Sequence, residues 1–235
     1  MAKIPNARLL LVEGQTDSRV LCEVFEKSTG IPWETRTPAN EKQFLIEIKP
    51  CGSDTELLEQ IEPSWKESGR KQLGVVIDAD SDPLARWIEV RNRAPREFRD
   101  QIPDSIPHQP FVHEVSNGRK FGVWIMPNNE LPGMLETFLG KLRTSMPPSV
   151  GQHIQEAMDT AKRLIDEYAR ANPSVLPRIS SWKEVHRSKA EIHTWLAWRD
   201  PPGLQLHEAV KHEALDIHAP LAQEFIEWMC RLYGL

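Results

Sequence analysis

Two stretches constrain this chain more than any other feature: LLLVEGQTD, from Leu9 to Asp17, and GVVIDADSD, from Gly74 to Asp82. Each begins as an apolar run without the polar alternation of a half-exposed strand, so each reads as a strand buried on both faces. Each ends in a cluster of carboxylates. Strands of this kind belong to open parallel sheets, where ligands sit outside the carboxyl ends of the strands. Both acid clusters would then face one crevice. Carboxylates brought to a common point by rigid strands suit a hard divalent cation, Mg2+ or Mn2+.

The flanking segments agree with such a sheet. After a first strand at 9–13, Gly14 makes a turn, and Thr16 or Asp17 can cap a helix that Gly30-Ile31-Pro32 stops. A strand is predicted at 44–49, a helix at 54–68, a strand at 73–77 and a helix at 83–93 opened by Pro83. Residues 101–110 hold three prolines and read as a loop. The segments 111–115 and 120–126 flank Asn117-Gly118, a hairpin signal. Beyond Pro127 the pattern turns helical, at 133–142, 149–171, 182–198 and 219–232, with breaks at Asn172-Pro173 and Pro201-Pro202-Gly203. The expectation is an α/β fold: a Rossmann-like, mostly parallel sheet flanked by helices over residues 1–145. A helical C-terminal extension, 146–235, would pack on that core.

Composition narrows the function classes. No apolar run is long enough to cross a bilayer, and the opening MAKIPNARLLLVEG lacks a secretory h-region and cleavage site, so a cytoplasmic protein is expected. Cys22, Cys51 and Cys230 are odd in number and far apart, against a disulfide framework or a zinc site. A net charge of −5 gives no bulk attraction for nucleic acid, so any such binding needs a local basic surface.

The paired motifs, Glu13-Gly14 on one strand end and Asp78-Ala79-Asp80 on a later one, resemble the Toprim domain of topoisomerases, bacterial primases and several nucleases. Asp17, four residues after the glutamate, resembles the extra acid of the overcoming-lysogenisation-defect (OLD) nucleases and their small stand-alone Toprim relatives. The segment VWIMPNNELPGMLETFL is similar to a further strand-loop-helix in those proteins, with Glu136 as its acid. The chain lacks the tyrosine-bearing winged helix of topoisomerases and the zinc domain of primases, which leaves the nuclease branch. The resemblance implies a Toprim-like fold over residues 7–142. It also implies a metal-dependent nuclease with two ions, Glu13 and Asp17 on one and Asp78 with Asp80 on the other or bridging. It implies nucleic acid as substrate, DNA before RNA, in anti-phage defence beside an ABC-type ATPase; no Walker A motif occurs in this chain. A homo-oligomer is a further expectation. OLD-type nucleases use a late lysine against the phosphoryl charge, and Lys189 matches that position.

Elementary chemistry agrees with the assignment. Phosphodiester hydrolysis needs an activated water, compensation of phosphoryl charge and help for the leaving oxygen, all of which bound metals can supply. Glu13, Asp78 and Asp80 read as metal ligands and catalytic residues, because like charges held at buried strand ends need compensation. Asp17 and Asp82 read equally as metal ligands or helix caps, and Glu136 as a ligand or an exposed helical residue. Lys189 shares a stripe with Val185, Ile192 and Leu196, so it either reaches the site or snorkels to water. In RWIEVRNRAPREFR, the arginines Arg86, Arg91, Arg93 and Arg96 could follow a phosphate backbone or form a solvated face. His207, His212 and His218 read as surface or capping residues, and Trp182, Trp195, Trp198 and Trp228 as the seam beneath the C-terminal helices. Two other readings stay open: a non-catalytic Toprim binding module, and a phosphatase using the Asp-x-Asp loop.

Overall fold

A computed structural model describes residues 7–36, 42–115, 118–144, 148–171 and 187–235. The elements are β1 (Arg8–Val12), α1 (Gln15–Thr29), β2 (Glu34–Arg36), β3 (Lys42–Phe44), β4 (Glu47–Pro50), α2 (Asp54–Lys66), β5 (Gln72–Asp78), α3 (Pro83–Arg93) and α4 (Arg96–Arg99). There follow β6 (Phe111–Val115), β7 (Arg119–Met126), α5 (Leu135–Lys141), α6 (Pro148–Ala171), α7 (Arg187–Ala197), α8 (Leu206–Lys211) and α9 (Pro220–Tyr233). The fold is α/β and Rossmann-like. Its main sheet runs β4-β1-β5-β7-β6, parallel except for the antiparallel edge strand β6.

The apolar runs are unbroken because both faces of the sheet are covered. Side chains alternate across a strand. Leu10, Val12, Val76, Trp124 and Met126 therefore join one core with α1, α5, α7, α8 and α9. Leu9, Leu11, Leu73, Val75 and Ile77 join another with α2, α3 and Phe98 of α4. The helices that follow β1 and β4 thus lie on opposite faces. The chain also goes from β1 out to β4 and back past it to β5, so the order reverses at β1. Crevices open at such a reversal.

The C-terminal helices are built into this architecture. Tyr233 is fully buried and donates its hydroxyl hydrogen to the carbonyl of Leu9 at 2.8 Å. The indole of Trp228 donates to the carbonyl of Phe111 at 3.0 Å. Close approach of α9 requires Gly74 in β5, where an added Cβ would meet Tyr233 Oη at 2.6 Å and Leu10 Cδ1 at 2.7 Å. Residues 206–235 therefore complete one of the two helical layers.

Several local expectations differ from what forms. The strand predicted at 44–49 divides: β3 pairs with β2 in a separate antiparallel hairpin, and β4 begins only at Glu47. The chain bends between exposed Phe44 and buried Ile46, with Leu45 N–H donating to the Trp33 carbonyl at 3.0 Å. Asn117, Asn172-Pro173, Trp182 and Val185 lie outside the described residues. Trp195 and Trp228 are buried in the seam, whereas Trp198 is 65% exposed and takes no part in it. No helix among the described residues is long and apolar enough to cross a membrane.

Candidate active site

Glu13 follows β1 directly and Asp78 ends the neighbouring strand β5, so the sheet itself sets the two acids side by side. Glu13 reaches across, and its Oε1 accepts the backbone N–H of Asp78 at 2.8 Å. Asp78 Oδ1 in turn accepts the N–H of Leu135, the first residue of α5, at 3.0 Å. That N–H has no intrahelical acceptor, so the carboxylate satisfies a helix end. Asp17 folds back to accept the Gly14 N–H at 3.1 Å, closing the first turn of α1.

These three acids, with Glu136 of α5 and Lys189 of α7, line one cavity of about 880 Å3. Glu136 is buried, at 7% exposure, and its Oε1 lies 3.2 Å from the Lys189 ammonium. Lys189 itself is exposed, and its ammonium pairs with that acid. The helix predicted around Glu136 forms, but its first turn faces inward.

The carboxylates raise one another. Burial pushes Glu13 up to about 7, and the charge of Asp17 adds to the rise, against the Asp78 N–H and the more distant Arg86. Asp78 is raised well above the usual carboxylate range, by burial first and then by Glu13, Asp17 and Glu136. Asp17 is raised by burial and by Glu136, with Lys189 and the Gly14 N–H acting the other way. Lys189 is the cation paired with this cluster, through Glu136.

Other predicted site residues are placed elsewhere. The extended chain of β5 breaks at Asp80, which takes φ 52 and bridges to Gly133. Its carboxylate sits 3.0 Å from the guanidinium of Arg86. Asp82 caps α3, its Oδ1 accepting the N–H groups of Leu84 and Ala85 at 3.0 Å. Arg86 is not a free phosphate-binding cation: it is buried and pairs with Asp54, Asp80 and Glu89 at 2.9–3.0 Å. Its Nε also donates to the Asp78 carbonyl at 3.0 Å. Arg91 pairs with Asp104 at 2.8 Å, and Arg93 and Arg96 are exposed. None of these four arginines lines the acid cavity.

Sequence reasoning passed over Arg19 and His193 and read His207 as a surface or capping residue; all three line the cavity. One signal was available for His193, which follows Lys189 by four residues and so shares its helical face. Arg19 and His207 carried none, since only the packing of α8 on α1 closes that wall. Among the described residues, no group of three or more His, Cys, Asp or Glu side chains forms a ready-made metal-binding set.

A family model described as a protein of unknown function (DUF3226) matches residues 7–234. No curated protein and no solved structure matches the chain.

Proposed function

The chain belongs to the DUF3226 family, whose function is unknown, and from its site we propose a Toprim-type, metal-dependent hydrolase of nucleic-acid phosphodiester bonds. The observation that carries this reading is the meeting of Glu13, Asp17, Asp78 and Glu136 with Lys189 in one cavity at the carboxyl ends of β1 and β5. Acids that raise one another in a partly buried site favour either protonation or a cation.

The donor set fits a hard cation. All four acids offer oxygen, and Mg2+ commonly keeps its waters while taking one or two carboxylates beside substrate phosphate, so a closed cage is not required. Glu13, Asp17, Asp78 and Glu136 would hold the ion, which supplies an activated water and polarises the phosphoryl oxygens. One ion fits better than two, because Asp80 is held by Arg86 and Asp82 by the start of α3. The backbone N–H of Leu135 orients Asp78, and that of Asp78 orients Glu13. The Lys189 ammonium is placed to share its charge between Glu136 and a phosphoryl oxygen at the mouth. A cytoplasmic location, action on DNA before RNA, homo-oligomerisation and an ABC-type ATPase partner in anti-phage defence belong to the same proposal.

A non-catalytic module is the second reading. One observation favours it: Glu13, Asp17 and Asp78 each already accept a backbone N–H. An Asp-x-Asp phosphatase fits less well, because Asp80 turns to Arg86. The test is cleavage of supercoiled plasmid, single-stranded DNA and structured RNA in Mg2+ and Mn2+, by wild type, Glu13→Ala and Asp78→Ala. Cleavage lost in both variants, by about a hundredfold or more, supports the hydrolase. Mn2+ binding without cleavage, lost in the same variants, supports the module.

A further inference from the structure

Resting on that reading, we infer that Arg19, His193 and His207 form a subsite for a phosphate adjoining the one at the carboxylates, so that the cavity takes a chain of phosphates rather than a lone monoester. The three come from separate elements, α1, α7 and α8, and line the same cavity as Glu13 and Asp78. Arg19 and His193 are exposed and His207 is half-buried. Among the described residues, no side-chain hydrogen bond or ion pair engages any of the three, whereas Arg86, Arg91 and Lys189 are all paired with acids.

Charge balance explains why such a subsite is needed. A chain of net charge −5 with four acids on one cavity floor repels a polyanion at long and short range. Lys189 is shared with Glu136, so the uncommitted positive charge in this wall comes from Arg19, whose fork matches a phosphate. An imidazole donates at least one N–H whether neutral or charged, so His193 and His207 can each hold a phosphate oxygen. A cavity of about 880 Å3 is far larger than one phosphate group and leaves room for the next.

The experiment measures binding without metal, in the Glu13→Gln protein, so that it does not depend on the ion. The probes are a fluorescent oligothymidylate, followed by anisotropy, and inorganic tripolyphosphate, followed by calorimetry. Arg19→Ala, His193→Ala and His207→Ala should each weaken binding by about three- to tenfold, and Arg19→Ala should lower the salt slope of log K by about 1. Lys66→Ala, distant from the cavity, serves as the control, and unchanged melting temperatures show that each variant folds. Affinities and salt slopes unchanged in the Arg19 and His193 variants overturn the subsite, as does failure of both probes to bind. Weakened binding of both probes supports nucleic-acid backbone as the ligand; weakened binding of tripolyphosphate alone supports a free oligophosphate. Rim-dependent binding in a protein that never cleaves would retain the subsite and overturn the hydrolase.

Discussion

Replacing Glu13 by glutamine should make the protein more stable, although it removes a residue of the proposed site. Glutamine keeps an Oε1 acceptor for the Asp78 N–H while discarding the charge that Asp17 and burial oppose. The wild-type carboxyl is pushed from 4.5 to about 7. At roughly 1.4 kcal/mol per pH unit, its ionisation costs the folded state about 3 kcal/mol. The sign follows from the direction of the shift. An acid raised in the fold contributes stability that is full below its unfolded value, and loses it as pH rises towards 7. In the metal-free protein at pH 8, Glu13→Gln should therefore gain about 1–3 kcal/mol, since the new amide hydrogens need partners of their own. For a chain of this length that corresponds to about 3–9 °C in melting temperature. Near pH 4.5 the two proteins should converge. Thermal melts followed by circular dichroism in EDTA at pH 4.5 and 8 decide it. A variant melting at or below wild type at pH 8, or gaining equally at both values, would refute the electrostatic account of the site.

Arg86→Ala takes the partner from half-exposed Asp54, Asp80 and Glu89 and removes a donor to the Asp78 carbonyl, so it should destabilise by about 1–2 kcal/mol in denaturant titration. Arg86→Lys should recover only part, because one ammonium cannot replace a planar fork with several partners. Gly74→Ala drives a methyl group into Tyr233, Leu10 and Leu232, and should cost about 1–3 kcal/mol by the same titration. If Tyr233→Phe, which relieves that clash at Oη, makes Gly74→Ala no easier to bear, the proposed contact is not the cause.

The legible parts of the fold were those governed by local pattern. The runs at 9–12 and 73–77, the cap at Asp82 and the proline that opens α3 are all written in short segments whose physics acts within a few residues. The site was legible where it lies on strand ends: Glu13 and Asp78 are brought together by register alone. What stayed hidden depends on contacts between distant segments. Asp80 leaves the pair because a left-handed turn hands it to Arg86, and nothing in Asp-x-Asp spacing encodes that partner. For the arginine-rich helix the sequence leaves a phosphate track and a solvated face both open, because two of its neutralising acids, Asp54 and Asp104, lie outside it in sequence. Arg19 and His207 share a wall only once α8 packs on α1.

The bond between Tyr233 and Leu9 joins positions 224 apart along the chain. A contact of that span closes a long loop, at an entropic cost that rises with the logarithm of the loop's length, so it costs more to form than the local contacts of the strands and helices between. On the ribosome, β1, β5 and β7 are all made before α9 emerges, and until then the strip around Gly74 and Gly122 has no cover. The same strands carry Glu13 and Asp78. The frame that sets those acids side by side is therefore fully covered only once α9 has docked on the sheet.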